Sequence, residues 1–121
     1  MPFAVSDAVS RVLNSALDGV SLRQRVIADN IANVDTPGFR ATSVDFESSL
    51  RQAIASGRFV DGGASVTARG IPTNTPVGVN GNNVDLRKES LAAIQSQFQY
   101  SLLTRAASDR LSMVRTAATG Q

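Results

Sequence analysis

The feature that most constrains this chain is where glycine and proline stand along it. Residues 3–36 contain one glycine and no proline, and residues 82–119 contain neither. Residues 37–81 contain seven glycines and three prolines. Because glycine and proline are the strongest local breakers of regular structure, this distribution predicts two long helices that flank an irregular middle.

The first end of the chain has the spacing of an amphipathic helix from about residue 6 to residue 34. Ser6 or Asp7 is suited to the N-cap, because its side-chain oxygen can accept a free backbone N–H. The helix must end before Pro37, since the residue preceding a proline is disfavoured in the α region. Apolar side chains recur at steps of three and four, which indicates one helix face. This face consists of Val9, Leu13, Ala16, Val20, Arg23, Ile27, Asn30 and Val34.

At the second end of the chain, the absence of glycine and proline and the spacing of apolar residues predict a helix from about residue 85 to residue 118. Asp85 is its best N-cap. Its apolar residues form two flanks, whereas a helix in a simple hairpin needs one, so we expect more than one neighbour. The first flank consists of Leu91, Ile94, Phe98, Leu102, Ala106, Met113 and Ala117, and the second of Leu103, Ala107, Leu111, Val114 and Ala118.

The middle predicts a short helix at 45–56, followed by Gly57 where a C-terminal glycine is favoured. From 58 to 81 we expect loop, with a weak strand at 65–68. The fold class expected is all-α, with long terminal helices packed antiparallel like a coiled coil and a short helix and irregular, β-poor loops between them. One structural unit is expected, divided into an N-terminal helix (1–36), a middle region (37–84) and a C-terminal helix (85–121).

Composition gives little support to catalysis. The chain contains no cysteine and no histidine, so disulfides, thiolate and imidazole metal ligands and the usual general base are missing. Asp35, Asp45 and Glu47 are candidates for a carboxylate pair, but turns and first helical turns are ordinary places for acids. The stretch 78–83 lacks the Lys and Ser/Thr of a phosphate loop, and we interpret it as a turn. We predict no catalytic residue, no cofactor and no metal.

The charges do not indicate a nucleic-acid partner or a membrane span. Twelve basic and ten acidic residues give a net charge of +2, and the basic residues are dispersed. We interpret Arg23 and Arg25 as part of a solvated helix face. No stretch approaches the roughly 18 apolar residues of a membrane span. The first residues have neither a basic nor an apolar segment, so no secretory signal peptide is expected.

The most specific segment lies at the end of the first predicted helix. Asn30 and Asn33 fall in its last turn, where amide side chains can bond to the free backbone groups or to a neighbour. The run Thr36-Pro37-Gly38 forces a sharp exit, because Pro37 and Gly38 fit the two central positions of a type II turn. Phe39 can then fold back as an apolar anchor. An ordinary helix C-cap and turn is the alternative interpretation.

The run NIANVDTPGF at 30–39 resembles the N-terminal signature of the bacterial flagellar rod, hook and hook-associated axial proteins. GNNVDL at 81–86, together with LSMVRTA at 111–117, is similar to the C-terminal part of a proximal rod protein of that family. A sister rod protein, FlgC, shares the first motif, and its C-terminal pattern fits less well. The resemblance covers roughly residues 7–58 and 77–118.

The resemblance implies a structural subunit of the proximal rod. Its terminal helices would lie side by side in a tubular wall, stacking through heterologous contacts into a shaft that transmits torque. The implied partners are other copies of the chain, rod subunits of the FlgC, FlgF and FlgG types, FliE, the membrane-ring protein and the flagellar type III export apparatus, with no nucleic acid and no small-molecule substrate. The implied location is the periplasmic rod of the basal body, reached without a cleaved signal peptide.

The resemblance also assigns roles to residues. The motif expected to set the chain's exit and the subunit contacts consists of Asn30, Asn33, Thr36, Pro37, Gly38 and Phe39. Subunit packing is expected from Leu13, Val20, Ile27, Ile31, Leu91, Ile94, Phe98, Leu102, Leu111 and Met113. Three alternatives stay open: the sister rod protein FlgC, a stand-alone helical adaptor that binds a partner helix in a groove, and an enzyme with a concave polar site.

Overall fold

The computed structural model describes residues 2–59 and 69–120, with side chains from residue 7 onward. The predicted weak strand at 65–68 lies outside the described residues. The all-α class is confirmed, since two long terminal helices pack together beside one short helix and a small sheet. The elements are α1 (Pro2–Ala32), β1 (Thr42–Val44), α2 (Glu47–Ala55), β2 (Gly70–Pro72) and α3 (Leu86–Thr119).

The two long helices run antiparallel, as predicted. Arg23 of α1 bonds to Gln99 of α3, and Asn30, further along α1, bonds to Glu89, which is earlier in α3. At 1.5 Å per residue, the two helices are about 46 and 51 Å long. Asp85 caps α3 by accepting a hydrogen bond from the Lys88 backbone N–H, which confirms the predicted N-cap.

The start of α1 differs from the prediction. The helix begins at Pro2, so the expected N-cap at Ser6 or Asp7 was wrong. No residue between Pro2 and Asp7 breaks a helix, and proline is favoured in the first turn, where its missing N–H costs nothing. At the other end α1 stops at Ala32, two residues before the predicted end.

The core lies where α1 meets the segment that follows it. One cluster consists of Ala16, Val20, Val44 and Phe46, all buried, with Leu103 of α3 packed against it. Gly19 permits this packing, because a Cβ added there would lie 2.4 Å from the Phe46 ring. A second cluster joins the start of α1 to α2 and consists of Ala8, Ala53 and Phe59, with Val12 and Leu50 packed against it.

The short helix α2 ends as its sequence predicts. Gly57 has a φ of +76°, and its N–H donates to the Ile54 carbonyl at 3.1 Å. The Arg58 N–H donates to the Ala53 carbonyl at 3.2 Å, which completes a Schellman motif. The side of α2 that packs inward carries Leu50 and Ala53, whereas Ile54 is half exposed.

A small sheet interrupts the region expected to be loop. β1 and β2 pair antiparallel, with Thr42 opposite Pro72 and Val44 opposite Gly70. The expectation of loop throughout 58–81 was therefore wrong at 70–72. All three residues of β2 are exposed, so this strand shows no alternation of apolar and polar side chains that would have identified it.

The orientation of α3 is the largest difference from a simple amphipathic hairpin. The face turned toward α1 carries buried Glu89 and Ser96 and half-buried Gln99 and Leu103. Of these four side chains only Leu103 is apolar, so the face of α3 that is turned toward α1 is largely polar. On the opposite face lies an exposed apolar row, here named the outer stripe, formed by Leu91, Ile94, Phe98 and Leu102.

Candidate functional site

The chain reverses direction after α1 in a tight segment, here named the motif turn, at residues 33–39. The Phe39 N–H donates to the Thr36 carbonyl at 3.2 Å, and Gly38, between them, has a φ of +76°. A bond from residue i+3 to residue i with a positive φ at i+2 defines the type II turn predicted for Pro37-Gly38. Pro37 is exposed and Phe39 is half-buried.

Asn33 closes the end of α1. Its Nδ2 donates to the Asp29 carbonyl at 2.8 Å, and its Oδ1 accepts the Thr36 hydroxyl at 3.0 Å. The last carbonyls of a helix have no partner within the helix, so a side-chain donor there stabilises the terminus. Asn33 therefore bonds to the free backbone groups of the helix end, one of the two possibilities that the sequence left open for these asparagines.

Asn30 bonds instead to neighbouring elements. Its side chain is fully buried. Its Nδ2 donates to the Thr42 carbonyl at 2.7 Å and to Glu89 Oε1 at 3.1 Å, and its Oδ1 accepts the Thr42 N–H at 3.2 Å. One carboxamide thus fixes α1 to β1 and to α3, and it supplies a partner to both the N–H and the carbonyl of Thr42.

Two asparagines from the second half of the chain, here named the asparagine clasp (Asn82 and Asn83), hold the motif turn. Asn82 Nδ2 donates to the carbonyls of Asn33 and Thr36, at 2.8 and 2.7 Å. Asn83 Oδ1 accepts the Ala41 N–H at 2.6 Å, and its Nδ2 bonds to two groups of the 73–75 segment. Both side chains are buried, so these bonds replace water on backbone groups that irregular chain leaves open.

The backbones of the two segments also meet directly. The Gly38 N–H donates to the Asn80 carbonyl at 2.9 Å, and the Asn83 N–H donates to the Phe39 carbonyl at 3.2 Å. Gly81 has a φ of +81°, and a Cβ added there would lie 3.3 Å from Gly38 Cα. The stretch 78–83 is therefore a turn, as interpreted, and its glycine allows close contact between main chains.

Arg23 was wrongly interpreted as part of a solvated face. Its guanidinium donates to Gln99 Oε1 at 3.0 Å and to the Val44 carbonyl at 2.6 Å, and it forms an ion pair with Glu47. It also lies 4.9 Å from the centre of the Phe46 ring, within cation–π range. Arg23 thereby links four elements, whereas Arg25 is exposed.

The residues expected to pack against other subunits divide by exposure. Val20 and Ile27 are 1% and 7% exposed, so the structure gives them contacts inside the chain. Leu13 and Ile31 are half-buried on α1. All six members on α3 are exposed, between 53% and 69%: Leu91, Ile94, Phe98, Leu102, Leu111 and Met113.

Sequence reasoning missed three contributors to this site. Asn82 and Asn83 were assigned no role of their own within the turn at 78–83, although their bonds reach back to the motif turn and to the residue that begins the next segment. Glu89 was not singled out, although it accepts from Asn30 in the interior. The signal for Asn82 and Asn83 was the run GNNVDL of the second motif, which lies next to the first motif in space, and Glu89 had no such signal. The arrangement holds backbone in place, and within 2–59 and 69–120 no cluster of acidic, His or Cys side chains could hold a metal ion.

A membrane span is not found either. Among the described helices, none combines the length and the apolar character needed to cross a bilayer.

Comparison with known proteins identifies the family. Residues 11–40 match the family model described as flagella basal body rod protein, and this range includes the whole motif turn. The chain is 36% identical to the flagellar basal body rod protein FlgB of Bacillus subtilis (strain 168), over 89% of this chain and 91% of that protein. It is 35% identical to FlgB of Borreliella burgdorferi, over 73% and 78%, and 31% identical to FlgB of Salmonella typhimurium, over 79% and 82%. The chain therefore belongs to the FlgB family of flagellar basal body rod proteins.

Proposed function

We propose that this chain is a structural subunit of the flagellar basal body rod, which polymerises by heterologous helix packing into the tubular shaft that transmits torque. The observation that carries the proposal is the outer stripe. Its side chains are 58%, 69%, 65% and 53% exposed at Leu91, Ile94, Phe98 and Leu102. A contiguous apolar patch of this kind marks a surface used for protein–protein contact.

The contact residues follow from exposure. Leu91, Ile94, Phe98, Leu102, Leu111 and Met113 meet neighbouring subunits, and Leu13 and Ile31 contribute at the edges of α1. Val20 and Ile27 stabilise the subunit internally, because their burial leaves no surface for a neighbour. The outer stripe is thus the main assembly surface of the chain.

The motif turn and the asparagine clasp serve as a rigid joint. Asn30, Asn33, Thr36, Pro37, Gly38 and Phe39 set the direction in which the chain leaves α1, and the clasp fixes that direction relative to α3. A shaft that carries torque needs subunits whose helices keep a constant relation to the chain between them. The bonds from Asn82 to Asn33 and Thr36 support this role.

The partners proposed are other copies of the chain, rod subunits of the FlgC, FlgF and FlgG types, FliE, the membrane-ring protein and the export apparatus. The relatives' names support assembly in the basal body. We further propose a periplasmic position reached by type III export without a cleaved signal peptide, and the absence of cysteine suits passage of an unfolded chain. The role is structural and involves no catalysis, because the polar groups of the site serve to hold backbone.

The test replaces the chromosomal gene by variants of the outer stripe. Ile94→Asp and Phe98→Asp place a charge on an exposed apolar position and should leave helix content and melting temperature near those of the wild type. Both should abolish swimming in soft agar and leave basal bodies without a rod, because a charge cannot be buried between subunits without a partner. Ala28→Asp, at an exposed position of α1, is the matched control and should swim.

Swimming by both stripe variants would contradict the proposal that this face makes the contacts. A chain absent from purified basal bodies, together with a stable monomer that binds one helical partner, would favour the adaptor alternative.

A further inference from the structure

Asn80 and Gly81 form the only asparagine–glycine pair in the chain, because every other asparagine precedes a residue with a side chain. Asparagine is chemically labile, and it is most labile before glycine. The reason is steric, since glycine has no Cβ to keep its nitrogen away from the carboxamide carbon of the asparagine. Asn80 is also exposed, so water reaches its side chain. Asn80 is therefore the asparagine of this chain most open to loss of its amide group.

The reaction needs water and no other reagent. The Gly81 nitrogen bonds to Asn80 Cγ, and its proton leaves with the side-chain NH₂ as ammonia, which gives a succinimide ring. Water then opens the ring at one of its two carbonyl carbons. Opening at Cγ leaves aspartate, and opening at the former main-chain carbonyl leaves isoaspartate, in which the main chain runs through the former side chain. Either route consumes one water and releases one ammonia, and nothing is oxidised or reduced.

In the folded chain, hydrogen bonds engage both groups that must react. The Gly81 N–H donates to the Gly78 carbonyl at 3.0 Å, and Asn80 Oδ1 accepts the Asn82 N–H at 3.2 Å. A bonded N–H loses its proton less readily, and a bonded carboxamide does not turn freely toward the Gly81 nitrogen. Asn82 is itself fixed to the motif turn by its side chain. The asparagine clasp and the turn at 78–83 therefore oppose the reaction together.

The two products differ in their effect on the contact between the motif turn and residues 80–83. Aspartate keeps both the Oδ1 that accepts the Asn82 N–H and the main-chain carbonyl that accepts the Gly38 N–H at 2.9 Å. Isoaspartate adds one carbon to the main chain before Gly81 and takes the acceptor of the Gly38 N–H out of the main chain. The chain has little room for this, because a Cβ on Gly81 would already lie 3.3 Å from Gly38 Cα.

We propose that Asn80 is a site of spontaneous deamidation, which the folded chain protects and whose isoaspartate product prevents Gly81 from closing on Gly38. The inference concerns the contact between two segments of one chain, so it does not depend on the proposed rod function. A chain that stays unfolded is modified at Asn80, whereas a folded chain is preserved.

The test incubates the purified full chain at pH 7 with and without guanidinium chloride. Trypsin then releases residues 70–87 as one peptide, in which tandem mass spectrometry assigns the mass increase to Asn80 or to Asn74, Asn82 or Asn83. In denaturant, Asn80 should react well before the other three. Without denaturant its reaction should be about 10- to 100-fold slower, because two hydrogen bonds must open first. Far-UV circular dichroism checks that the undenatured chain is helical, and a chain that is not helical alone is replaced by isolated basal bodies.

Two variants separate the site from its products. Asn80→Gln should stay unmodified at position 80 in denaturant, because its longer side chain closes the larger ring far more slowly. Freshly purified Asn80→Asp should protect the Gly38 amide hydrogen from exchange as the wild type does, whereas chains that carry isoaspartate should exchange it faster after the denaturant is removed. Equal rates of reaction in folded and denatured chains would overturn the proposal. Equal rates at Asn80 and Asn82 in denaturant, or full protection of Gly38 in isoaspartate chains, would overturn it as well.

Discussion

Replacing Asn30 by aspartate removes two of the three hydrogen bonds by which this side chain links three elements, and it leaves the shape of the side chain unchanged. The substitution turns the side-chain NH₂ into an oxygen. The bonds that Nδ2 donates, at 2.7 Å to the Thr42 carbonyl and 3.1 Å to Glu89 Oε1, become contacts between oxygen atoms. Asn30 is fully buried and Glu89 is 6% exposed, so water does not replace the lost bonds.

The magnitude follows from these contacts. Losing one neutral hydrogen bond costs about 1 kcal/mol, and losing one to a charged group costs about 1.5–3 kcal/mol. Two carboxylates about 4 Å apart repel by roughly 4 kcal/mol at an effective dielectric constant near 20, and taking up a proton avoids most of this. We therefore expect the free energy of unfolding to fall by about 3–5 kcal/mol at pH 7.

The loss of stability caused by Asn30→Asp should depend on pH. Burial and the nearby Glu89 carboxylate raise the pKa of the introduced carboxyl above its value of about 3.9 in the unfolded chain. The folded variant then holds a proton more readily than the unfolded chain does. Its deficit against the wild type is full above the raised pKa and shrinks as the pH falls through it.

Urea unfolding of the purified full chain, followed by far-UV circular dichroism at pH 7 and pH 4.5, measures both effects. Asn33→Asp is the matched control, because Asn33 bonds at the exposed end of its own helix and should lose less than about 1 kcal/mol. If Asn30→Asp is unfolded at pH 7, its refolding at pH 4.5 reports the same coupling. Equal losses in the two variants, or a deficit that does not shrink at pH 4.5, would refute the reasoning.

Three further predictions concern local geometry and acid. Gly19→Ala should lower the free energy of unfolding by about 1–2 kcal/mol in urea, because overpacking against the Phe46 ring outweighs the usual helix gain; a more stable variant would contradict this. Gly38→Val should lower the free energy of unfolding by about 1–2 kcal/mol and impair motility, because Gly38 has a positive φ. Asparagine tolerates a positive φ, so Gly38→Asn should stay near the wild type in both assays. Hydrogen bonds from the Ser48 N–H and hydroxyl hold the pKa of the Asp45 carboxyl below its ordinary value of 3.8. The ionised carboxylate therefore stabilises the fold above pH 3.8, and this contribution is lost as the pH falls through the lowered pKa. In thermal unfolding measured from pH 6 to pH 2, Asp45→Asn should remove this part of the dependence of stability on pH. An unchanged dependence would exclude a contribution from Asp45.

Local signals predicted the elements whose causes are local. Asp85 caps α3, Gly57 ends the turn after α2, and Pro37-Gly38 makes the type II turn, because each effect acts over a few neighbouring residues. Local signals also explain the wrong start predicted for α1. Ser6 and Asp7 are good N-cap residues, but the helix begins before them, at Pro2. A cap residue permits a start but does not require one.

Contacts between distant segments were not predictable in this way. β2 carries three exposed residues and pairs with β1 across more than twenty residues of chain. Asn82 and Asn83 bond to groups 40 or more residues away, and asparagine before a helix ordinarily suggests a cap. The resemblance of two motifs indicated that both segments matter, and the structure shows that they form one site.

The sequence by itself determined the helices, the turn after α1 and the all-α class, because glycine, proline and apolar spacing act through neighbouring backbone. The tertiary structure decided which face of α3 is covered. Apolar spacing on α3 marks the row Leu91, Ile94, Phe98 and Leu102, yet the chain packs Glu89 and Ser96 against α1 and leaves that row exposed. The hydrogen bonds from Asn30 to Glu89 and from Arg23 to Gln99 hold α3 in this orientation, and bonds between residues far apart in sequence have no periodic signal.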